Sequence, residues 1–109
     1  MSFNVLTIAS FDRQLKRLAK KYPSLKSEFS ALLDTLENDP EQGVPIGKNC
    51  FKIRIAIASK GKGKRGGARL ITNIVVTNST VYLLSIYDKS EKENLSSKEL
   101  DQLLELIEV

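Results

Sequence analysis

The chain of 109 residues contains no histidine and a single cysteine, Cys50. Without histidine the commonest transition-metal ligand is missing, and a lone cysteine can neither close an internal disulfide nor build a multi-cysteine metal site. Neither a metal site nor a cofactor is therefore expected. With no histidine to activate it, Cys50 reads as a small packing residue rather than a nucleophile. No apolar run approaches the roughly 20 residues that a membrane helix needs, and "MSFNVLTIAS" lacks the basic start and long apolar stretch of a secretion signal. The expectation is a cytoplasmic protein with no membrane partner. Its hydrophobic content of 41% suffices for one core, so residues 1–109 are expected to form one domain.

Acid is missing from the middle of the chain. Residues 42–87 carry eight cations and no carboxylate, whereas residues 1–41 carry six of each and residues 88–109 carry three cations and seven acids. The net charge of +4 therefore hides a block of one sign focused on part of a small domain, which attracts polyanions and steers their approach. Nucleic acid is the leading candidate, with the acidic end shielding the block or meeting a basic partner.

What is present divides cleanly by periodicity. "FNVLTIA" has strand content, and Phe11, Leu15, Leu18, Ala19 and Tyr22 then fall on one helical face until Pro23. Leu25, Phe29, Leu32, Leu33 and Leu36 repeat that spacing until "ENDPEQGVP" breaks it. "FKIRIAIA" alternates, with Phe51, Ile53, Ile55 and Ile57 on one side and Lys52 and Arg54 on the other. "ARLITNIVVT" and "TVYLLSIY" are rich in β-branched and aromatic residues and should pair as a hairpin around Asn78-Ser79. Ser96 and Glu99 make a capping box, flanked by Leu95 and Leu100 as a staple, for a last helix running to about Glu108. The predicted order is β-α-α-β-β-β-α, an α+β fold with a helical hairpin on one face of an antiparallel sheet, a C-terminal helix, and the other face at least partly open.

"SKGKGKRGGARLI" contains G-x-G-x-x-G at Gly61, Gly63 and Gly66. A dinucleotide fingerprint needs a helix after the glycines and here a strand follows; the P-loop pattern also fails, because Gly67-Ala68 stands where Lys and a hydroxyl residue belong. One remaining reading is a solvated loop in which glycines supply turns and lysines solubility. The other is that Lys60, Lys62, Lys64 and Arg65 hold RNA by phosphate contact. The second gains from Lys52, Arg54 and Arg69, which strand pairing can bring onto one face, where cations bind phosphate more exactly than on a loop. Lys52 and Arg54 could also serve only to keep an exposed sheet face soluble, and Tyr87 could serve only to close a strand end.

"CFKIRIAIASKGKGKRGGARLI", followed by "VYLLSIYDKSEKENLS" and preceded by "FDRQLKRLAKKYPSLKSEFSALLDTLENDPEQG", resembles the RelE/ParE superfamily of bacterial toxins, in its RelE/HigB group and especially the HigB-like branch. The resemblance covers nearly the whole chain and implies an endoribonuclease that cleaves mRNA in the ribosomal A site without a metal. It also implies a cognate antitoxin, a helix-turn-helix protein, through whose complex alone operator DNA would be bound. By the same resemblance Lys52, Arg54, Arg69, Tyr87 and Lys89 are the catalytic candidates. The tyrosine that the best-known members place further along falls on Leu95, and Ala68 stands where an aromatic often precedes the arginine. A histidine-free ribonuclease must move protons with Lys, Tyr or carboxylates and stabilise the pentavalent phosphate with cations. Two other functions fit the same fold, a ParE-like inhibitor of DNA gyrase without catalysis and a simple RNA-binding module.

Overall fold

A computed structural model describes residues 2–61 and 66–107. Its elements are β1 (Asn4–Thr7), α1 (Ala9–Lys21), α2 (Leu25–Leu36), β2 (Val44–Gly47), β3 (Cys50–Ile55), β4 (Ala68–Val75), β5 (Thr80–Asp88) and α3 (Ser97–Glu105). The strands form one sheet in the order β1-β5-β4-β3-β2. The α+β class, the helical hairpin and the C-terminal helix agree with the sequence reading.

The helices stop where their chemistry says. Tyr22, next to Pro23, is extended at φ −125 and ψ 92, as a residue clashing with a following proline ring must be. At α3 the Ser96 side chain accepts from the Glu99 amide at 3.1 Å and the Glu99 carboxylate accepts from the Ser96 amide at 3.1 Å, which satisfies two orphan donors of the first turn.

Two features depart from expectation. Residues 44–47, which overlap the end of the break "ENDPEQGVP", form the edge strand β2, antiparallel to β3. All four of its residues are exposed, so no face is buried to impose a period, and its Pro45 is of the kind that edge strands tolerate. The turn into β3 places Lys48 and Asn49 at φ 56 and 60, the left-handed pair of a tight hairpin, without the Asn-Gly that usually announces one. Asn73 compensates by donating its side-chain amide to Lys48 O at 3.1 Å. The second departure is β1, which runs parallel to β5, Asn4 opposite Thr80, so the sheet is mixed rather than wholly antiparallel.

Alternation along the strands sorts the core into two layers. Phe11, Leu18, Leu25 and Leu36 of the helical hairpin pack on Ile53, Ile55, Leu70, Val81 and Leu83. On the opposite face Cys50, Ile71, Tyr82, Leu84 and Tyr87 meet Leu100 of α3, with Leu95 and Leu103 at the margin. Leu100 is the one fully buried residue of α3, with Leu103 and Leu104 half-buried against the same cluster, so this helix covers the sheet with a narrow apolar stripe. Cys50 is buried and burial raises its thiol pKa, which fits a packing role.

Between β4 and β5 the register slips at Ile71/Thr72, leaving Leu84 as an extra residue on β5. Such a bulge frees backbone donors and bends the strand. Gln14 of α1 binds beside it: its Oε1 accepts from the Ile86 amide at 3.0 Å and the Ser85 hydroxyl at 3.2 Å.

Candidate active site

Antiparallel pairing places Arg54 opposite Arg69 and Arg69 opposite Tyr87. Directly opposite residues stand about 4.5–5.5 Å apart at Cβ, so the three side chains form a row across β3, β4 and β5. Lys52 lies two residues before Arg54, on the same face, opposite Ile71. The sheet therefore brings together four of the five catalytic candidates. Lys89 sits one residue beyond β5, where its backbone amide donates to Gly67 O at 3.1 Å. Its ammonium makes no hydrogen bond or ion pair among the described residues.

The row is built by close backbone approach. A Cβ on Gly67 would lie 1.9 Å from Ile55 O, so only glycine lets the incoming chain seat Ala68 and Arg69 against β3. That contact gives the "GGAR" segment a physical reason.

Arg69 is only 4% exposed. Its Nη1 donates to Ala68 O at 3.1 Å, while burial and the neighbouring Arg54 guanidinium lower its pKa and Tyr87 raises it. An arginine stays charged under such pressure, so the exposed Arg54 guanidinium repels the buried one of Arg69. An anion between them would relieve that repulsion. Tyr87 is also buried, which raises its pKa, with Arg69 and the Leu95 backbone opposing and Glu99 adding to the rise. Its hydroxyl forms no hydrogen bond of normal geometry among the described residues, and burial favours the phenol over the phenolate.

Lys52 is half-buried and donates to Asn94 Oδ1 at 3.3 Å. Lys52, Tyr87, Asn94, Leu95 and Ser96 line part of a cavity of about 200 Å³ between the sheet and the start of α3. At roughly 30 Å³ per water, it has room for several waters or one phosphate group. Leu95 supplies an apolar wall here and no proton. A wider groove of about 650 Å³ opens beyond Val44, between Glu28 and Leu32 of α2 and residues 52–55 of β3 with Ala56.

The loop cations separate. Lys62, Lys64 and Arg65 lie outside the described residues. Lys60, expected to face phosphate, is instead turned inward: its Nζ donates to the fully buried Asp88 carboxylate and to Gly66 O at 2.8 Å, with Ser90 Oγ at 3.3 Å. Asp88 also accepts from Tyr22 OH at 2.6 Å and from the Ser90 amide at 2.9 Å and hydroxyl at 2.8 Å. Burial alone would raise the Asp88 pKa, but these hydrogen bonds, Lys60's first, outweigh it and hold the carboxyl well below the usual range. Counting charges assigned Asp88 to the acidic tail, whereas the strand's alternation turns it to the side opposite Tyr87. That alternation was the signal that could have found it.

Residues 11–108 match the model of the family described as the RelE toxin of the RelE/RelB toxin–antitoxin system. The chain belongs to that family. Solved structures with this fold include an arginine-to-alanine double mutant of Escherichia coli RelE in the free state, at 15% identity and a TM-score of 0.62, with 99% of this chain and 100% of that one covered. The RelBE2 toxin–antitoxin complex of Mycobacterium tuberculosis aligns at 22% identity and a TM-score of 0.57, covering 81% of this chain and 92% of that one. The archaeal RelE–RelB complex of Pyrococcus horikoshii aligns at 17% and 0.54, covering 82% and 97%. Among the described residues no helix is long and apolar enough to cross a membrane.

Proposed function

We propose that this chain is a ribosome-dependent endoribonuclease toxin that cuts mRNA in the A site with its own side chains, acts in the cytoplasm, and is restrained by an antitoxin of the kind that accompanies RelE in the solved complexes. The observation that supports this best is the row Arg54–Arg69–Tyr87 with Lys52 beside it. The substrate's 2′-hydroxyl oxygen attacks the adjacent phosphorus, a new O–P bond forms, and the bond from phosphorus to the 5′ oxygen breaks. The products are a 2′,3′-cyclic phosphate and a 5′-hydroxyl, so one proton leaves the nucleophile and one reaches the leaving oxygen. Arg54 and Arg69 stabilise the charge growing on the phosphoryl oxygens, where fixed donors in a poorly solvated site act most strongly. Tyr87, whose burial favours the neutral phenol, suits the leaving oxygen, and Lys52 or Lys89 serves the transfer of the 2′ proton.

Primer extension on cellular mRNA after induction tests the reading, followed by single-turnover cleavage on programmed ribosomes. Cuts confined to translated regions, with the same cuts from purified protein on ribosomes, are expected. Intact mRNA with continued translation and arrested replication would instead favour the gyrase-inhibiting reading, and RNA binding without cuts would favour a binding module.

A further inference from the structure

Residues 1–41 are neutral by count, yet the structure separates their charges. All six cations, Arg13, Lys16, Arg17, Lys20, Lys21 and Lys26, precede residue 27, and five of the six acids follow it. On α1 the buried face carries Phe11 and Leu18, and Arg13, Lys16, Arg17 and Lys20 fall at i, i+3, i+4 and i+7 on the exposed side. Arg13, Lys16 and Lys20 form no ion pair or hydrogen bond among the described residues. Arg17 pairs with Glu91 at 3.2 Å, both partners largely exposed. Like charges at these spacings repel, and a cation as early in a helix as Arg13 opposes its dipole. Apart from the exposed Arg17–Glu91 pair and the place of Lys20 in the last turn, the fold gains little from this stripe.

The stripe runs on toward the base of the glycine-rich loop. The ammonium of Lys21 lies 5.4 Å from the Tyr22 ring centre and that of Lys60 lies 5.6 Å from the same ring. Tyr22 thus joins the end of α1 to the point where the basic loop begins.

We infer that the exposed face of α1 is a second contact surface for RNA, a track for the phosphate backbone of structured RNA reaching from Arg13 to Lys21 beside the loop. This inference rests on the reading of the protein as an RNA-directed toxin and concerns a surface separate from the Arg54–Arg69–Tyr87 row. RNA fits better than a protein partner because four cations follow one another with no exposed apolar anchor between them. Protein interfaces depend on buried aromatic and aliphatic anchors and exclude charge from their centres, whereas phosphate contact needs only cations. The rival occupant is an acidic amphipathic helix, which could use the shallow groove that Leu15 and Phe29 line beside Lys16, Lys20 and Lys26. Arg13 and Arg17 lie outside that groove, and the rival leaves them unused.

The test is the triple variant Arg13→Gln, Lys16→Gln and Lys20→Gln, all at exposed positions and none in the proposed catalytic row, titrated against 70S ribosomes over a salt series. Affinity should fall, and the slope of log K against log salt should flatten by about 2–3 units for three lost contacts. Cleavage at saturating ribosomes should stay within about twofold of the wild type, since chemistry is set elsewhere. An unchanged slope overturns the track, and so does weakened binding of the cognate antitoxin alone, which would give the stripe to an acidic protein. If the slope flattens although the wild type never cuts mRNA, the track stands and the nuclease reading falls.

Discussion

The two faces of the sheet are built from alternate residues of the same strands and follow opposite rules. Beneath the helical hairpin, Ile53, Ile55, Leu70 and Leu83 meet Phe11, Leu18 and Leu25, and a layer of side chains nearly free of polar atoms closes tightly. Beneath α3, Ile71, Leu84 and Tyr87 share their face with Lys52, Arg54 and Arg69, and the helix above supplies one buried leucine. One face accounts for folding. The other tolerates crowded like charge because the first has already fixed the strands, which is how a preorganised cationic site can be held.

Asp88 is the exception on the dry side, and removing it should break the comparison most severely. Its carboxylate is fully buried and its partner Lys60 has a side chain 13% exposed. Replacing one member of such a pair strands the other, at a cost of about 3–5 kcal/mol. Asp88→Asn should therefore lower the denaturant-derived stability by that amount. The pH dependence follows from the depressed pKa: the contribution is complete above the unfolded value of about 3.9 and fades as pH falls toward the folded one. The wild type should thus lose stability as acid is added below about pH 4, and Asp88→Asn should lack that share of the loss. Equal acid sensitivity in both proteins would show that Asp88 does not carry it.

A pair of truncations, one on each face, sharpens the contrast. Leu83→Ala on the hairpin side should cost about 2–5 kcal/mol of stability, as buried leucines do, while the fraction that remains folded cuts at the wild-type rate. Arg69→Ala on the other side should lower single-turnover cleavage by about 10²–10³-fold, the scale of losing one preorganised donor. Arg69→Lys should recover only part of this, because one ammonium cannot reproduce the planar fork. Wild-type cleavage by a folded Arg69→Ala protein would remove this face as the active site.

The sequence made these two faces legible to unequal depth. Periodicity in α1, α2 and β3 was strong because each has one buried side, and the Ser96/Glu99 box marks the start of α3 without help from tertiary structure. The face shared by Lys52, Arg54 and Arg69 followed from alternation and pairing. Strand β2 did not, since an edge strand exposed on both sides leaves no pattern. The Lys60–Asp88 pair was hidden by 28 residues of separation and by a charge count that treated Lys60 as one more loop cation. The burial of Arg69 was equally unreadable, because an arginine in a strand gives no sign of what will cover it.

The smallest effect should come from the cap of α3. Ser96→Ala removes the hydroxyl that accepts from the Glu99 amide, and loss of such a cap costs about 0.5–2 kcal/mol. The Glu99 carboxyl, now held down to about 2 by Lys92 and Ser96, would lose part of that hold and rise toward its ordinary value. Because α3 buries only Leu100 fully, with Leu103 and Leu104 half-buried beside it and a surface contact from Lys48 to Asp101, the loss should be felt locally. Hydrogen exchange should quicken in residues 97–105 while β4 and β5 keep their protection, since local opening draws on the least stable element first. Faster exchange spread evenly through the sheet would mean that the two faces fold as one unit, and the division between them would then be chemical only.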